Sequence, residues 1–225
     1  MNTTHHPDEA TLMEYAAGTL DEAFAVTVSC HLEICPDCRK AVRAAEAMGG
    51  AMLCEQVGAP VAEGSFGRLL EKISAASGEG GNTAPAVMEQ VQPQSPGSVL
   101  PAALGSYIGR NVDEIRWKRI GPGVWQHPIR LSDGAKSSLR LLRIAPGRSV
   151  PEHGHGGQEI TLILSGAYRD EIGYFGPGDV ADLDEDIEHQ PRVVSDEDCI
   201  CLAATEKPTR FKSLAGRLLQ PFVGI

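Results

Sequence analysis

Side chains that commonly bind metal ions cluster near the start of this sequence. His31, Cys35 and Cys38 follow the spacing His-x3-Cys-x2-Cys, and one imidazole with two thiolates supplies three of the four ligands of a tetrahedral Zn²⁺ site. A further histidine would complete the set, and the sequence offers His5 and His6. We favour His6 because the Pro-Asp-Glu that follows it is typical of a helix start, and His5 is the alternative. A site closed by four protein ligands has a structural role.

A Cys-x2-Cys pair also occurs in redox-active dithiols, which is the main alternative interpretation of Cys35 and Cys38. Thioredoxin-like pairs follow a strand in a βαβ unit, and no such pattern surrounds these cysteines. The pattern therefore favours metal binding. Cys30 and Cys54 lie outside the spacing, and we expect both to be small buried hydrophobic residues.

A second group of ligand-type side chains lies in the other half of the chain. His153 and His155 are two residues apart, so on a strand they project to the same face, and Glu159 follows a Gly-Gly turn. His189 is the candidate fourth ligand, after a Gly-Pro-Gly-Asp turn at 176–179. Three imidazoles and one carboxylate suit Zn²⁺ as well as Fe, Mn or Ni and leave room for open coordination positions. The sequence leaves the metal open.

Two further cysteines, Cys199 and Cys201, alternate with apolar residues on a predicted strand and therefore face the same side. Core packing is one interpretation, and a redox role near the second metal site is the other. His127 has no partner pattern, and we expect it to be structural.

The elements that must position these groups differ between the two halves. Helical periodicity and capping residues predict four helices, at residues 8–17, 22–31, 36–48 and 61–76. In the last of them, four apolar side chains have core spacing: Phe66, Leu69, Leu70 and Ile73. Short β-like runs between Gly and Pro turns predict an all-β barrel or sandwich. The clearest runs are residues 138–144, 160–164, 166–172 and 199–203.

A segment rich in Gly and Pro and without Lys or Arg separates the halves, and it predicts a flexible linker. We divide the chain into a helical domain at residues 1–77, the linker at 78–101 and a β-barrel at 102–225. The fold class is therefore α + β multidomain, and we expect the halves to be loosely coupled.

Composition narrows the classes of function. The 225 residues carry a net charge of −10, which disfavours a nucleic-acid surface and suits a basic protein partner. A hydrophobic fraction of 42% supports a packed core. The sequence shows no signal peptide and no apolar run of membrane-spanning length, so we expect a cytoplasmic protein. Six cysteines in that compartment are more typical of ligands and core residues than of disulfides.

The motifs in combination resemble a known family. Residues 147–166 meet every fixed position of the first cupin motif, G-x5-H-x-H-x3-E-x6-G. An N-terminal His and His-x3-Cys-x2-Cys helical domain followed by a cupin resembles the cytoplasmic zinc-dependent anti-sigma factors of the ChrR type. The similarity covers nearly the whole chain and includes residues 15–20 and 216–222.

The resemblance implies two Zn²⁺ sites. Their ligands would be His6, His31, Cys35 and Cys38 in the first, and His153, His155, Glu159 and His189 in the second. It also implies a helical domain that keeps an extracytoplasmic-function (group IV) sigma factor from RNA polymerase, and a cupin that responds to singlet oxygen or related oxidants. Residues 1–77 contain eleven Asp and Glu against five Lys and Arg, a balance that suits a basic sigma-factor surface.

Two other classes of function compete with this interpretation. A cupin metalloenzyme, such as a dioxygenase or isomerase with an accessory zinc domain, is favoured by the open coordination positions. A DNA-binding regulator is disfavoured by the acidic charge and by the lack of a basic recognition helix. We expect an anti-sigma factor and not an enzyme.

Overall fold

The computed structural model describes residues 3–78, 100–109, 112 and 115–211, and it places helices first and strands second. The helices are α1 (Glu9–Ala17), α2 (Glu22–Ile34), α3 (Pro36–Cys54), α4 (Ser65–Gly78) and the short α5 (Gly105–Ile108). Most of the predicted linker, and the sequence motif at 216–222, lie outside the described residues.

The second half is built from twelve described strands in three antiparallel sheets. The strands are β1 (Lys118–Gly121), β2 (Val124–Ile129), β3 (Ser138–Ile144), β4 (His153–Gly154), β5 (Glu159–Ser165), β6 (Tyr168–Arg169), β7 (Tyr174–Phe175), β8 (Val180–Leu183), β9 (Glu188–His189), β10 (Arg192–Val193), β11 (Cys199–Thr205) and β12 (Arg210–Phe211). The large sheet has the order β1-β2-β3-β11-β5-β8, and the small ones β10-β6-β7 and β12-β4-β9. The predicted run at 166–172 contains only the short β6.

Alternation along the long strands produces two separate cores. Side chains on the inner face of the large sheet, such as Ile163 and Cys201, pack with Tyr168 and Phe175 of the β6–β7 hairpin. Side chains on the outer face, such as Leu141 and Leu162, pack against the helices. A period of two residues is what places neighbouring residues of one strand in different cores.

Local signals define most of the helix ends. The Asp8 carboxylate accepts a hydrogen bond from Thr11 N at 2.6 Å at the start of α1, and Gly18 ends this helix with φ of +69°. Pro36 occupies the first turn of α3. The predicted helix end at Gly49-Gly50 is wrong because α3 continues to Cys54. Each glycine costs a helix only about 1 kcal/mol, which neighbouring turns can offset.

The two halves are packed together, so the expectation of loosely coupled domains is wrong for this structure. α2 lies across the outer face of the large sheet, where Phe24 and Cys30 share a buried core with Leu141, Leu162 and Leu202. The composition of a linker predicts only the conformational flexibility of the linker itself. It carries no information on whether the elements at its two ends bury surface against each other.

Carboxylates at both ends of α2 hold this docked arrangement. Glu33 accepts hydrogen bonds from the backbone N–H groups of Ala102 and Ala103 at 2.8 and 2.7 Å. At the other end, Asp21 accepts from Lys136 N at 3.0 Å and from the Ser137 hydroxyl. These contacts combine with the apolar core to fix the helix on the barrel.

The prediction that the apolar residues of α4 form a core is also wrong. Phe66, Leu69, Leu70 and Ile73 are 74%, 54%, 47% and 54% exposed. They form one stripe on a helix whose spacing is correct for burial, but no other described element covers that stripe. Cys54 at the end of α3 is exposed as well, which contradicts the expectation of burial, whereas Cys30 is buried as expected.

Candidate metal centres

Three consecutive elements deliver the first ligand group. His6 comes from the extended segment before α1, His31 from the last turns of α2, and Cys38 from the first turn of α3. Cys35 is the residue between α2 and α3, and its sulfur accepts a hydrogen bond from Cys38 N at 3.4 Å. One ligand atom from each of the four residues lies within 4.8 Å of the others.

Ring orientation shows how the two imidazoles would bind an ion. Nδ1 of His31 lies 2.9 Å from the carbonyl oxygen of Gly178, and a carbonyl only accepts, so Nδ1 carries the proton. Nε2 is therefore the ligand atom, and it lies 3.2 Å from Cys38 Sγ. Nδ1 of His6 lies 3.4 and 3.3 Å from the sulfurs of Cys35 and Cys38.

His5 is directed away from this cluster. Its ring packs on Phe175 with a centroid distance of 4.4 Å, while His6 turns to the sulfurs. Adjacent residues of an extended segment project to opposite sides, so only one of the two histidines can reach the cluster. The structure brings His6 to it.

The two thiols have different proton affinities. Burial opposes ionisation of Cys35, but hydrogen bonds from the Thr3 hydroxyl and from Cys38 outweigh it and lower the pKa of Cys35. Burial and the neighbouring Cys35 raise the pKa of Cys38 to about 12. Burial also lowers the pKa of His31 to about 4, so its imidazole is neutral at pH 7. A bound cation would replace the protons of both thiols.

The second ligand group lies at one end of the barrel. β4 and β9 pair His153 with His189, and their Nε2 atoms are 3.2 Å apart. Nδ1 of His153 contacts the Pro151 carbonyl at 2.9 Å, and Nδ1 of His189 contacts the Asp170 carboxylate at 2.8 Å. Both protons therefore reside on Nδ1. Two lone pairs face each other at 3.2 Å, which is repulsive unless a cation lies between them.

His155 and Glu159 complete this group. Glu159 Oε2 lies 3.2 Å from His155 Nδ1, and His155 Nε2 is buried without a hydrogen-bond partner among the described residues. Burial opposes ionisation of Glu159, but His155 and the other two imidazoles lower its pKa to about 2. Burial lowers the pKa of His153. Three imidazoles and one carboxylate, with Nε2 of His155 left without a partner among the described residues, form a ligand set that fits a divalent metal ion.

A cavity of about 250 Å³ adjoins the second group inside the barrel. His153, Glu159 and His189 line it together with Arg140 and Cys201. Arg140 is only 9% exposed and donates hydrogen bonds to Gln126 Oε1 at 3.3 Å and Ser138 Oγ at 3.0 Å. This space lets a small molecule approach the ligand group, a feature typical of sites that exchange ligands.

The two strand cysteines both face the barrel interior. Cys201 lines the cavity, and Cys199 is buried opposite Ile144. Burial raises the pKa of Cys199 to about 12 and raises the pKa of Cys201 well above its usual range. Because the thiolate is the reactive form, these surroundings favour packing over redox chemistry. His127 lies apart from both groups, with Nδ1 3.2 Å from the Arg116 carbonyl.

The residues that orient the candidate ligands through hydrogen bonds were not predicted from the sequence. Asp170, which orients His189, lies in a turn with no motif around it. The sequence predicts only a turn at 176–179, yet the Gly178 carbonyl contacts His31, and the Asp179 carboxylate accepts a hydrogen bond from Thr4 N in the segment that carries His6. A search for carboxylates near turn glycines would have found Asp179, whereas Arg140 is visible only once the strand register is known.

Comparison with known proteins identifies the family. The model of the ChrR cupin-like domain matches residues 106–208. The anti-sigma-E factor ChrR of Cereibacter sphaeroides is 40% identical over 225 residues, which is 100% of both chains. This chain belongs to the ChrR anti-sigma factor family. The family resemblance predicted from the sequence is thereby confirmed.

A solved structure supports the fold of this ChrR family member. In the crystal structure of Rhodobacter sphaeroides SigE in complex with the anti-sigma ChrR, the matched chain is 39% identical, with a TM-score of 0.74 over 91% of this chain and 99% of that chain. The predicted fold class, a helical N-terminal domain and a C-terminal cupin, is confirmed. Within the described part of the chain, each helix is too short or too polar to cross a bilayer.

Proposed function

We propose that this protein is an anti-sigma factor that sequesters an extracytoplasmic-function (group IV) sigma factor in the cytoplasm. The carrying observation is the exposed apolar stripe of α4, formed by Phe66, Leu69, Leu70 and Ile73. A 14-residue helix is marginal when isolated in water. An apolar stripe on such a helix is typical of a surface that a partner protein covers.

Charge and family support a basic sigma factor as that partner. The matched ChrR structure is a complex with SigE. Residues 1–77 of this chain carry eleven acidic and five basic side chains, which would complement the basic surfaces with which a sigma factor binds polymerase or promoter DNA. Zn²⁺ at His6, His31, Cys35 and Cys38 would hold the three helices that precede α4, because two thiolates and two imidazoles are a ligand set for structural zinc.

One substitution on α4 tests the partner surface. Leu69→Asp should weaken binding of the cognate sigma factor by about 30-fold or more, since burying a leucine contributes about 2 kcal/mol and the carboxylate adds a desolvation cost. Ala75→Asp adds the same group to the opposite face of α4 and should bind like the unmodified chain. Equal affinity of both variants for the sigma factor in titration calorimetry would contradict the proposal.

The cupin would be the part that responds to an oxidant such as singlet oxygen. Moving a complex from about 1% to 99% dissociated requires about 5.5 kcal/mol, which is more than a single hydrogen bond contributes. Oxidative damage to a metal ligand, or proteolysis that follows it, is large enough. A second Zn²⁺ would be held by His153, His155, Glu159 and His189. Once bound, this ion would polarise a small molecule that enters the cavity.

A second function, small-molecule chemistry in the cupin, is favoured by the cavity. Arg140 places a buried positive charge beside the ligand group, which suits an anionic substrate. The test is oxygen uptake by the full chain loaded with Fe²⁺ and offered short-chain carboxylates. Sustained turnover that Arg140→Gln abolishes would support an enzyme. Uptake equal to that of the free metal would leave the anti-sigma function as the sole role of the chain.

A further inference from the structure

A tight turn of the cupin, residues 176–179, touches the first metal-binding group. The Gly178 carbonyl accepts the Nδ1 proton of His31 at 2.9 Å, and this hydrogen bond fixes the ring that presents Nε2 to the sulfurs. Groups that orient metal-bound histidines in this way typically change metal affinity by 10–100-fold when they are removed. A backbone atom of one domain therefore orients a ligand in the other.

The next residue of the turn holds the chain beside His6. One carboxylate oxygen of Asp179 accepts hydrogen bonds from Thr4 N at 2.6 Å and His5 N at 3.0 Å, and the other accepts from Gly176 N at 2.9 Å. Asp179 is only 5% exposed. Its three N–H donors lie on both sides of the domain boundary, so the same side chain shapes the turn and positions the ligand segment.

The approach of the two domains at this turn requires glycine. Gly178 has φ of +93°, and a Cβ there would lie 2.8 Å from Thr3 Cγ2 and 3.1 Å from Ile34 Cγ2. Only glycine accommodates both the backbone conformation and this close contact without strain. The contact is therefore matched in shape as well as in hydrogen bonding.

The turn is continuous with the strands that hold the second group. β8 follows Asp179 directly and pairs with β5, so that Leu183 lies opposite Glu159. Asp182 of β8 accepts hydrogen bonds from Asp8 N at 3.1 Å and from Gln158 Nε2 at 2.9 Å. Gln158 precedes Glu159 in the chain. A displacement of Glu159 would therefore shift Gln158 and Asp182, and with them the segment that carries His6.

We propose that Gly178 and Asp179 are positioning residues of the first metal site, so that the metal affinity of this site depends on the metal occupancy of the cupin. Coupling of this kind is reciprocal, since each metal then favours the arrangement that binds the other. The inference deepens the proposed function by naming the contact through which the cupin reaches the helical domain. Its test needs no sigma factor, so either idea can fail alone.

Cobalt binding to the full chain separates the two sites. Co²⁺ at the first site absorbs in the near ultraviolet through its two sulfur ligands, a signal that a site of imidazoles and a carboxylate lacks. Chelator competition followed at this band should give a dissociation constant about 10-fold higher for Asp179→Asn than for the unmodified chain. Asp184→Asn is the matched control, because the Asp184 side chain is exposed and its carboxylate accepts a hydrogen bond from Asp186 N within its own turn.

A second variant tests the coupling without altering the turn. His153→Ala removes a ligand of the cupin site and should weaken cobalt binding at the first site at least threefold, whereas His127→Ala should leave it unchanged. If Asp179→Asn does not fold, as judged by near-ultraviolet circular dichroism, the His153→Ala result decides. Dissociation constants within twofold of the unmodified chain in every folded variant of Asp179 and His153 would overturn the proposal.

Discussion

The two ligand groups of this chain differ in donor chemistry and in what surrounds them. The first contains two thiols and two imidazoles, which come from the extended segment before α1 and from the corner between α2 and α3. The second contains three imidazoles and one carboxylate on a barrel framework, beside a cavity of about 250 Å³. A closed set of two thiolates and two imidazoles suits a structural ion, whereas a site that faces a cavity suits ligand exchange and response.

The same difference extends to what each metal would stabilise. Around the first group the described core is small, comprising five buried residues: Leu12, Val28, Cys35, Cys38 and Val42. The barrel has one extensive core inside it and shares a second with α2. We therefore expect the helical corner to depend on a bound ion more than the barrel does. A metal has a structural role where the apolar core beside it is too small to hold the fold.

Removing a sulfur from the first group should give the largest effect. Cys38→Ser leaves three ligands at a site whose metal binding contributes on the order of 10 kcal/mol to folding in small zinc domains. Metal content measured by mass spectrometry should fall from two ions per chain to one, with loss of α1–α3 helicity. Cys54→Ser, which changes an exposed cysteine, should retain both ions. Two ions in Cys38→Ser would contradict the assignment of the first site.

Removing an imidazole from the second group should have a smaller effect on the fold. His189→Ala should also lose one ion per chain, but the barrel should remain folded because the sheet cores persist. A melting temperature lowered by a few degrees is expected, since about 1 kcal/mol corresponds to roughly 2–4 °C in a chain of this size. Unfolding of the barrel in calorimetry would show that its metal is structural after all.

Much of this contrast could be predicted from the sequence because it rests on local spacing. His-x3-Cys-x2-Cys and His-x-His-x3-Glu place ligand atoms through one helix corner and one hairpin, so the chain itself fixes their proximity. The strand at Ser138–Ile144 has the bounds predicted from the sequence, because its signal is also a local pattern of residues.

What the sequence could not give is the packing between distant segments. The apolar periodicity of α4 correctly predicts a helix, but Phe66 and Leu69 are exposed because periodicity does not say what covers a stripe. The docking of α2 on the barrel, and the contact of Gly178 with His31, join residues about 150 positions apart. No local pattern encodes such a contact.

The reactivity of the barrel cysteines tests whether the second region has a redox role. Because burial raises the pKa of Cys199 to about 12 and raises that of Cys201 well above its usual range, both thiols should stay unmodified by iodoacetamide at pH 8 in the metal-loaded protein. The exposed Cys54 should react first. Peptide mapping by mass spectrometry checks the order. Rapid alkylation or oxidation of Cys201 would restore a redox role for the barrel cysteines.

The smallest expected effect concerns the contact that joins the two regions. Burial opposes ionisation of Asp21, but hydrogen bonds from Ser137 and Lys136 outweigh it and lower its pKa. A lowered pKa means that the contact stabilises the docked state above about pH 4, the ordinary carboxylate range, and that this contribution is lost as the pH falls through the lowered value.

Asp21→Asn should therefore lower the melting temperature at pH 7 by less than about 3 °C, since solvent screens a carboxylate that is only partly buried. The difference from the unmodified chain should shrink as the pH falls below about 4 and vanish below the lowered pKa of Asp21. Glu46→Gln, an exposed carboxylate on α3, is the control and should give no difference at either pH. A deficit that persists unchanged in acid would mean that the charge of Asp21 does not contribute to docking.

The most direct test of the division between the two sites is the dissociation constant of the sigma-factor complex, measured in parallel for three full-length proteins. We expect Cys38→Ser to weaken binding more than about 100-fold, since α4 loses its support. We expect His153→Ala to stay within about 10-fold of the unmodified chain in the absence of oxidant, because the barrel keeps its fold. Equal losses in both variants, or a larger loss in His153→Ala, would contradict this division.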